Sequence, residues 1–140
     1  MGPMRIKEIP KVPNNKIGRV NKNGVKPEPN EEATFNYLTL FGFNIELIRP
    51  TSIKKAKNPD VLIFGTIWEV KTPTSSNETT IKNRFREAAK QATKVIFDLR
   101  YVKKGTDRVE KQIINMFEGD GKVRRIIIIE KTGKVLDFIK

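Results

Sequence analysis

Residues 59–71 read PDVLIFGTIWEVK, and this stretch decides how the rest of the chain is interpreted. Val61 to Phe64 and Ile67 to Val70 are apolar, β-branched or aromatic runs, which are typical of strands. Gly65 and Thr66 separate the two runs. The stretch therefore predicts two antiparallel strands joined by a short hairpin turn.

Three polar side chains of this hairpin are candidates for one catalytic site. Side chains alternate across a strand, so Glu69 and Lys71 share one face, and Asp60 begins the neighbouring strand beside them. Two carboxylates can hold a hard divalent cation that polarises a phosphate and acidifies a bound water. We predict Asp60, Glu69 and Lys71 as catalytic residues for phosphodiester cleavage, with Asp60 and Glu69 as metal ligands. The other interpretation is a turn cap, a surface ion pair and one more cation of a basic protein.

The elements around the hairpin are predicted from capping residues and periodicity. Asn30 is suited to cap a helix that Gly42 ends, with acidic residues in its first turn. The remaining predictions, in chain order, are a strand over 43–48, a polar loop over 72–77, a helix over about 78–93, a strand over 95–99, a helix over about 107–117, and a terminal hairpin over 125–139.

The helix over about 78–93 carries a polar stripe beside its apolar face. Thr80, Arg84, Glu87 and Gln91 recur at i, i+4, i+7 and i+11, which places them along one side. This side would face the carboxylates of the strands and contribute to the site. The alternative is a solvated helix edge with ordinary pairing between residues three or four apart.

The order helix, three strands, helix, strand, with Pro59-Asp60 and Glu69-Val70-Lys71, resembles the PD-(D/E)xK nuclease superfamily. The resemblance implies an α+β nuclease core, here followed by a C-terminal helix and a β-hairpin. It also implies a divalent cation such as Mg²⁺. Many members use a further carboxylate from the first helix, and Glu32, or its neighbour Glu31, matches that position as a third metal ligand.

A second resemblance covers roughly residues 30–140. The chain is similar to the C-terminal tRNase domain of contact-dependent growth inhibition toxins and related polymorphic toxins. The motifs that carry this resemblance are PDVL at 59–62, WEVK at 68–71, TTIKN at 79–83, AKQA at 89–92 and VIFDLR at 95–100. It implies a nuclease toxin that is delivered from a neighbouring cell and acts on tRNA in the bacterial cytoplasm. It also implies a cognate immunity protein, and a translation factor is a further candidate partner.

The two resemblances leave two mechanisms open, because toxin tRNases also occur in a ribonuclease fold that needs no metal. There the RNA 2′-hydroxyl attacks the adjacent phosphate, which requires a base, an acid and a cation. The chain contains no histidine. A metal-free reaction would therefore fall to Glu69 and Lys71 together with Thr80, Arg84 and Gln91.

Composition favours a nucleic-acid partner. The chain has 28 Lys and Arg against 16 Asp and Glu, a net charge of +12, and no cysteine. Dispersed basic charge binds phosphates without base specificity. The absence of cysteine and histidine excludes disulfides, thiolate zinc sites and Ser-His-Asp catalysis. Lysines spread through the chain and the lack of a long apolar helix argue against membrane anchoring.

The first 29 residues differ in composition from the rest. They contain seven basic and two acidic residues and five prolines, with few core-forming side chains. Such a segment cannot bury enough apolar surface to pack alone. We therefore predict a flexible basic arm or linker over 1–29 and a single nuclease toxin domain over 30–140.

The residues and the two resemblances favour a toxin-like nuclease, and the preference for RNA, with tRNA as the substrate, is implied by the second resemblance alone. Two alternatives share the same residues. The first is a metal-dependent DNA endonuclease, because carboxylate and lysine chemistry recognises the phosphate and not the sugar. The second is a non-catalytic nucleic-acid-binding module, because a fold does not guarantee activity.

Overall fold

The computed structural model describes residues 4–49 and 60–140. The chain divides into two compact units, with Met1–Ile9 and Glu69–Lys140 in unit 1 and Pro10–Trp68 in unit 2. The boundary falls inside strand β5 (Thr66–Lys71), whose first three residues belong to unit 2 and whose last three belong to unit 1. Pro59, the first residue of the predicted nuclease signature, lies outside the described residues.

Unit 1 contains a mixed sheet and two helices. Strand β6 (Lys94–Asp98) pairs in parallel with the end of β5 on one side and with β7 (Arg125–Ile129) on the other. Strand β8 (Val135–Ile139) pairs antiparallel with β7 and with β1 (Arg5–Ile9). Parallel neighbours need long crossovers, and these contain α2 (Glu78–Gln91) and α3 (Thr106–Gly119).

The core of unit 1 forms where both helices pack on one face of this sheet. Each helix buries three apolar residues at helical spacing, which is the pattern of an amphipathic helix against a core. Strand β7 is buried along Ile126 to Ile129, as expected for a central strand between two neighbours. The residues of the helix-covered core include Ile81, Phe85, Ala88, Val95, Phe97, Val109, Ile113, Phe117, Ile126, Ile128 and Phe138.

Two aspartates are buried in the sheet of unit 1, and both are held by arginine. The Asp98 carboxylate accepts hydrogen bonds from Nε and Nη2 of Arg100, the latter at 2.8 Å. Asp137 accepts two from Arg125, at 2.9 and 2.8 Å. A buried carboxylate needs such partners to remain charged. Their positions within the sheet therefore indicate structural roles.

Unit 2 contains one helix and short strands. Helix α1 (Pro29–Thr39) is followed by β3 (Ile45–Ile48), which pairs in parallel with β2 (Val20–Asn21) and antiparallel with β4 (Asp60–Ile63). Strand β4 then pairs antiparallel with the first half of β5. The large side chains buried in this unit are Phe35, Leu38, Ile45, Leu47, Ile63 and Trp68.

The hairpin turn between β4 and β5 lies one residue earlier than predicted. Ile63 pairs with Thr66, so the two turn residues are Phe64 and Gly65, with φ of 54° and 76°. Two left-handed residues match the twist of a two-residue hairpin. An aromatic residue with positive φ is uncommon. Here the Phe64 ring packs against Phe43, with ring centroids 5.3 Å apart.

The predicted flexible arm over 1–29 differs from the structure in its described part. Arg5–Ile9 form β1, which pairs along its length with β8, and Val20–Asn21 form β2. A short 3-10 helix, Asn14–Lys16, lies between them. The prediction from composition did not take backbone pairing into account. These strands add hydrogen bonds at sheet edges and need few apolar side chains of their own. The first 29 residues are therefore divided between the two units.

The predicted boundaries of the elements differ from the structure by only a few residues. Helix α1 begins at Pro29 with Glu28 as its N-cap, because proline is favoured in the first turn, where its missing N–H costs nothing. The order of elements from α1 to β8 is as predicted. With three α-helices and eight strands in the described residues, the fold class is α+β.

A glycine in the first 29 residues provides a test of this packing. A Cβ at Gly18 would lie 1.8 Å from the backbone oxygen of Phe43, and Gly18 donates its N–H to the Thr39 oxygen at 2.9 Å. Gly18→Ala should therefore lower the free energy of unfolding by about 2 kcal/mol or more. Chemical denaturation measures this. Gly121→Ala, where a Cβ meets nothing within 4 Å, is the control. Equal stability of the two variants would contradict the packed arrangement.

A half-buried carboxylate in unit 1 predicts a pH dependence of stability. Burial, with a hydrogen bond and charge repulsion from Glu130, raises the pKa of Glu110 to about 7, from 4.5. The native state then binds a proton that the unfolded state has lost. Stability from this group is therefore fully present below pH 4.5 and lost as pH rises through 7. Between pH 5 and pH 8, the free energy of unfolding should therefore fall by about 1 kcal/mol more in the wild type than in Glu110→Gln. This figure is smaller than the full pKa shift would give, because solvent screens a half-exposed group.

Urea denaturation of wild type and Glu110→Gln at both pH values measures this difference. Glu118→Gln, at an exposed position on the same helix, is the control and should leave the pH profile of the wild type unchanged. A Glu110→Gln profile parallel to that of the wild type would show that Glu110 does not carry the predicted proton.

Candidate active site on strand β5 and helix α2

The register of β5 and β6 determines which way the signature residues point. Glu69 pairs with Val95 and Lys71 pairs with Phe97 in the parallel ladder. Residues directly opposite each other share one face of a sheet. Val95 and Phe97 belong to the core that the helices of unit 1 cover. Glu69 and Lys71 are therefore on the helix-covered face, and both are only half-buried.

Helix α2 meets Lys71 with a carboxylate. The Nζ atom of Lys71 lies 3.3 Å from Oε2 of Glu87. The same carboxylate accepts from Nη1 of Arg84, at 3.2 Å to Oε1 and 3.3 Å to Oε2. Glu87 therefore bridges a lysine from the strand and an arginine from its own helix. We call Lys71, Arg84 and Glu87 the bridged cluster.

Exposure differs within the bridged cluster. The Lys71 side chain is 17% exposed, whereas those of Arg84 and Glu87 are 46% and 50% exposed. The lysine thus forms the inner side of the cluster and the arginine its outer side. A ligand approaching from solvent would meet Arg84 and Glu87 first, and would reach the Lys71 ammonium by displacing the carboxylate.

Electrostatics keep the bridging carboxylate ionised. The hydrogen bond from Lys71 lowers the pKa of Glu87, and the charges of Lys71 and Arg84 add to this effect. Partial burial opposes them. Glu87 thus carries a negative charge at neutral pH and below. The bridged cluster has two cations and one anion, so it retains a net charge of +1 toward solvent.

The start of α2 is fixed by its cap. Asn77 is the N-cap, and its side-chain oxygen accepts from the backbone N–H of Thr80 at 3.1 Å. This bond satisfies one of the free N–H groups of the first turn. The cap sets where the helix begins after the loop from Thr72. It thereby sets which residues of α2 lie next to Lys71.

The other predicted residues of the α2 stripe lie further along the helix. Thr80 is in the first turn and half-buried, and Gln91 is the last helical residue and exposed. Eleven residues of helix span roughly 16 Å. Thr80 and Gln91 therefore cannot both contact the phosphate that Lys71 and Arg84 would contact. The structure brings Arg84 to Lys71 and leaves Thr80 and Gln91 at the two ends of the helix.

Glu87 belongs to the predicted stripe, but sequence reasoning did not include it among the site residues. The signal was present, because Arg84 and Glu87 are three residues apart on one helix face and of opposite charge. The sequence did not show that Glu87 also has a partner on strand β5, Lys71. The contact with Lys71 depends on which face of β5 the helix covers, and this follows from pairing between β5 and β6.

The predicted carboxylate ligands have different surroundings. Glu69 is engaged in at least one interaction with a neighbouring group. Asp60, in unit 2, is exposed at the start of β4, where its Cα partner is Ile48. Glu32, also in unit 2, accepts from Lys22 Nζ at 2.6 Å. Within residues 4–49 and 60–140, no group of three or more acidic side chains is arranged to hold a metal ion.

None of the helices within the described ranges is long and apolar enough to span a membrane.

A comparison with curated proteins finds no match. Among solved structures, the chain is similar to the CdiA-CT/CdiI toxin and immunity complex from Burkholderia pseudomallei, with 19% sequence identity and a TM-score of 0.63. The similarity covers 86% of this chain and 98% of that chain. At this level of identity it shows the fold, and it confirms the predicted fold class.

A comparison with protein families covers the part of the chain that carries the candidate site. Residues 57–135 match the family described as the contact-dependent growth inhibition CdiA C-terminal domain. The matched range includes β5, α2 and the strands that pair with β5. Because it spans more than half of the 140 residues, the chain belongs to the CdiA C-terminal domain family, the toxin domains of contact-dependent growth inhibition between bacteria.

Proposed function

We propose that this toxin domain is a nuclease that cleaves phosphodiester bonds in RNA, with tRNA as the favoured substrate. The observation that carries the proposal is the bridged cluster. Lys71 of the Glu69-Val70-Lys71 triplet and Arg84 of α2 are held by one ionised carboxylate on a protein with a net charge of +12. A lysine and an arginine that share one carboxylate can also bind a phosphate.

Phosphate binding would proceed by exchange of partners. In the free protein, the Glu87 carboxylate accepts hydrogen bonds from both Lys71 and Arg84. A substrate phosphate also offers two negative oxygens, and arginine binds such groups through two parallel N–H donors. The phosphate would replace Glu87 at Arg84 and Lys71. Holding the cations in place before the substrate arrives reduces the reorganisation that binding requires.

Glu69 and Lys71 supply the chemistry in this proposal. In RNA, the 2′-oxygen bonds to phosphorus, the bond from phosphorus to the 5′-oxygen breaks, and the products carry a cyclic phosphate and a 5′-hydroxyl. The 2′-hydroxyl proton passes to Glu69. The leaving oxygen takes a proton from the Lys71 ammonium or from water. Lys71 and Arg84 stabilise the negative charge that develops on the phosphate oxygens.

A divalent cation would be the cofactor of the alternative route. Mg²⁺ is commonly held by one or two carboxylates together with substrate phosphates, and it keeps several waters. Asp60 and Glu69 both have carboxylate oxygens, so these two predicted ligands are of the type that Mg²⁺ binds. Glu32 differs, because its carboxylate is paired with Lys22. When bound, Mg²⁺ would lower the pKa of a water that attacks the phosphate.

The biological setting follows from the family. A toxin domain of contact-dependent growth inhibition is delivered between cells, and we place its action in the cytoplasm of the recipient, where tRNA is found. The similar solved structure is a toxin and immunity complex. This similarity supports a cognate immunity protein as a partner of the present chain. A translation factor that presents or activates the substrate is a further proposed partner.

The first prediction from this proposal concerns catalytic residues. The purified chain is incubated with total tRNA and with plasmid DNA, and product is followed over time. Glu69→Gln and Lys71→Ala should each lower the rate of RNA cleavage by about 100-fold or more, because they remove the base and the main stabiliser of charge. Glu87→Gln should lower the rate less, since it removes the group that positions Lys71 and does not touch the reacting atoms.

Two exposed positions of unit 1 provide matched controls, Glu118→Gln for the carboxylates and Lys134→Ala for the lysine. Both should cleave at the wild-type rate. Thermal unfolding of every variant separates loss of chemistry from loss of fold. Wild-type rates for Glu69→Gln and Lys71→Ala would contradict the site. Cleavage of plasmid DNA alone would assign the same residues to a DNA endonuclease, and binding without cleavage would assign a binding module.

The second prediction distinguishes the two routes. Each incubation is repeated with Mg²⁺ and with EDTA, and Asp60→Asn is added to the set. If a cation is used, EDTA and Asp60→Asn should both abolish cleavage. If the 2′-hydroxyl is the nucleophile, cleavage should continue in EDTA, Asp60→Asn should retain activity, and the RNA ends should be cyclic phosphates. Full activity of Asp60→Asn in Mg²⁺, together with inhibition by EDTA, would contradict Asp60 as a ligand.

A further inference from the structure

A second basic surface lies on α2, away from the bridged cluster. Lys82, Arg86 and Lys90 occur at i, i+4 and i+8 and are all exposed, so they form one row along the helix. The row is about 12 Å long. Successive phosphates of one strand of a duplex rise by about 3.4 Å, so the row spans several of them. We call these three residues the basic row.

The basic row begins at Lys82 on the side of α2 opposite the bridged cluster and turns toward Glu87 at its Lys90 end. At roughly 100° per residue, Lys82 lies about 140° or more around the helix axis from Arg84 and Glu87, whereas Arg86 and Lys90 lie about 100° and 60° from Glu87. The buried face formed by Ile81, Phe85 and Ala88 separates the two on one side of the helix. A phosphate bound at Lys71 therefore does not contact Lys82 at the start of the row. Any ligand that contacts both Lys71 and Lys82 must be wider than the helix, which is about 10 Å across.

Two clefts adjoin the basic row, and cations line both. The first, of about 540 Å³, lies between α2 and α3. The second, of about 400 Å³, lies at the end of α2. The charged residues that line them are Lys82, Arg108, Lys111 and Glu78 in the first, and Arg86, Lys90, Lys122 and Asp120 in the second. Six cations therefore face two carboxylates.

The second carboxylate is already committed to the backbone. Asp120 Oδ1 accepts from the N–H groups of Lys122 and Val123, at 2.6 and 2.8 Å. This oxygen closes the turn after α3 and is therefore engaged before a ligand binds. Among the ion pairs within residues 4–49 and 60–140, none involves Lys82, Arg86 or Lys90. The basic row is thus available to an external anion.

The first cleft is bordered by hydrogen bonds that engage Arg108 but not the three residues of the basic row. Gln112 donates from Nε2 to the Glu78 backbone oxygen at 2.8 Å, and Arg108 donates to Gln112 Oε1 at 2.9 Å and to the Ser76 oxygen. These bonds join α3 to the start of α2. The spacing between the helices is therefore fixed before a ligand binds, which lowers the entropic cost of binding.

We infer that the basic row and its two clefts are a second binding surface for the phosphate backbone of a folded RNA. It would hold a part of the substrate remote from the bond that is cut. The density of cations without paired carboxylates matches a polyanion that is bound through its phosphate backbone. The inference rests on the proposed nuclease function for its choice of RNA. The surface itself can be tested without cleavage.

The test uses matched triple variants in the full chain. The test variant is Lys82→Gln, Arg86→Gln and Lys90→Gln. The control variant is Arg5→Gln, Lys7→Gln and Lys134→Gln, which removes the same charges from exposed positions in and beside β1 and β8. Each is made in the Glu69→Gln background, and binding of labelled tRNA is measured by fluorescence anisotropy at 50 to 200 mM salt.

We expect the test variant to bind tRNA about tenfold more weakly at physiological salt. Its slope of log affinity against log salt should be smaller by about 2 to 3, one for each lost phosphate contact. The control variant should change the slope little. Equal effects of the two variants would overturn the inference, because they would show that net charge alone matters. A test variant that keeps its RNA affinity but loses affinity for a protein partner would also overturn it.

Cleavage kinetics separate this inference from the proposed function. With Glu69 restored, the test variant should raise KM for tRNA about tenfold, leave kcat unchanged, and cleave a short single-stranded oligonucleotide at the wild-type rate. A loss of kcat on the short substrate would place the basic row in the catalytic site and overturn the inference. If the wild type cleaves nothing, the proposed function fails, and the anisotropy result still decides the binding surface.

Discussion

The parallel register between β5 and β6 is the constraint on which the candidate site depends. Pairing of Glu69 with Val95 and of Lys71 with Phe97 places two charged side chains on the face that α2 and α3 cover. Shifted by one residue, the same strand would turn Val70 to the helices and the charges to the other face. The chemistry of the site therefore follows from backbone hydrogen bonds several residues away from it.

Placing Lys71 beside the core has an energetic cost, which a residue of α2 offsets. A lysine that is 17% exposed beside a hydrophobic core loses much of its hydration, and an unpaired charge there would be costly. Glu87 offsets this cost with a hydrogen bond and an opposite charge. Since Glu87 is half-exposed, the pair is not sealed from solvent. The arrangement keeps Lys71 oriented while leaving it accessible to a competing anion.

The sequence was informative where local rules decide the structure. The hydrophobic periods of α2 and α3 and the apolar run of β7 gave the order of elements correctly, because these patterns reflect burial on one face. Contacts between distant segments were not accessible. Pairing of β1 with β8 joins residues more than 120 positions apart, and few apolar residues marked it. Phe64 in the turn was missed because aromatic residues seldom adopt positive φ.

In the proposed nuclease, the two basic surfaces of α2 would separate substrate binding from catalysis. A net charge of +12 attracts any polyanion, and attraction alone would hold RNA in many orientations. Glu87 partly neutralises the bridged cluster, so the cluster attracts polyanions less strongly than the basic row, which has no ion pairs among the described residues. Binding by the row would bring RNA close without competing for Lys71. Lys71 and Arg84 would then be released from Glu87 only by a phosphate presented in the correct position.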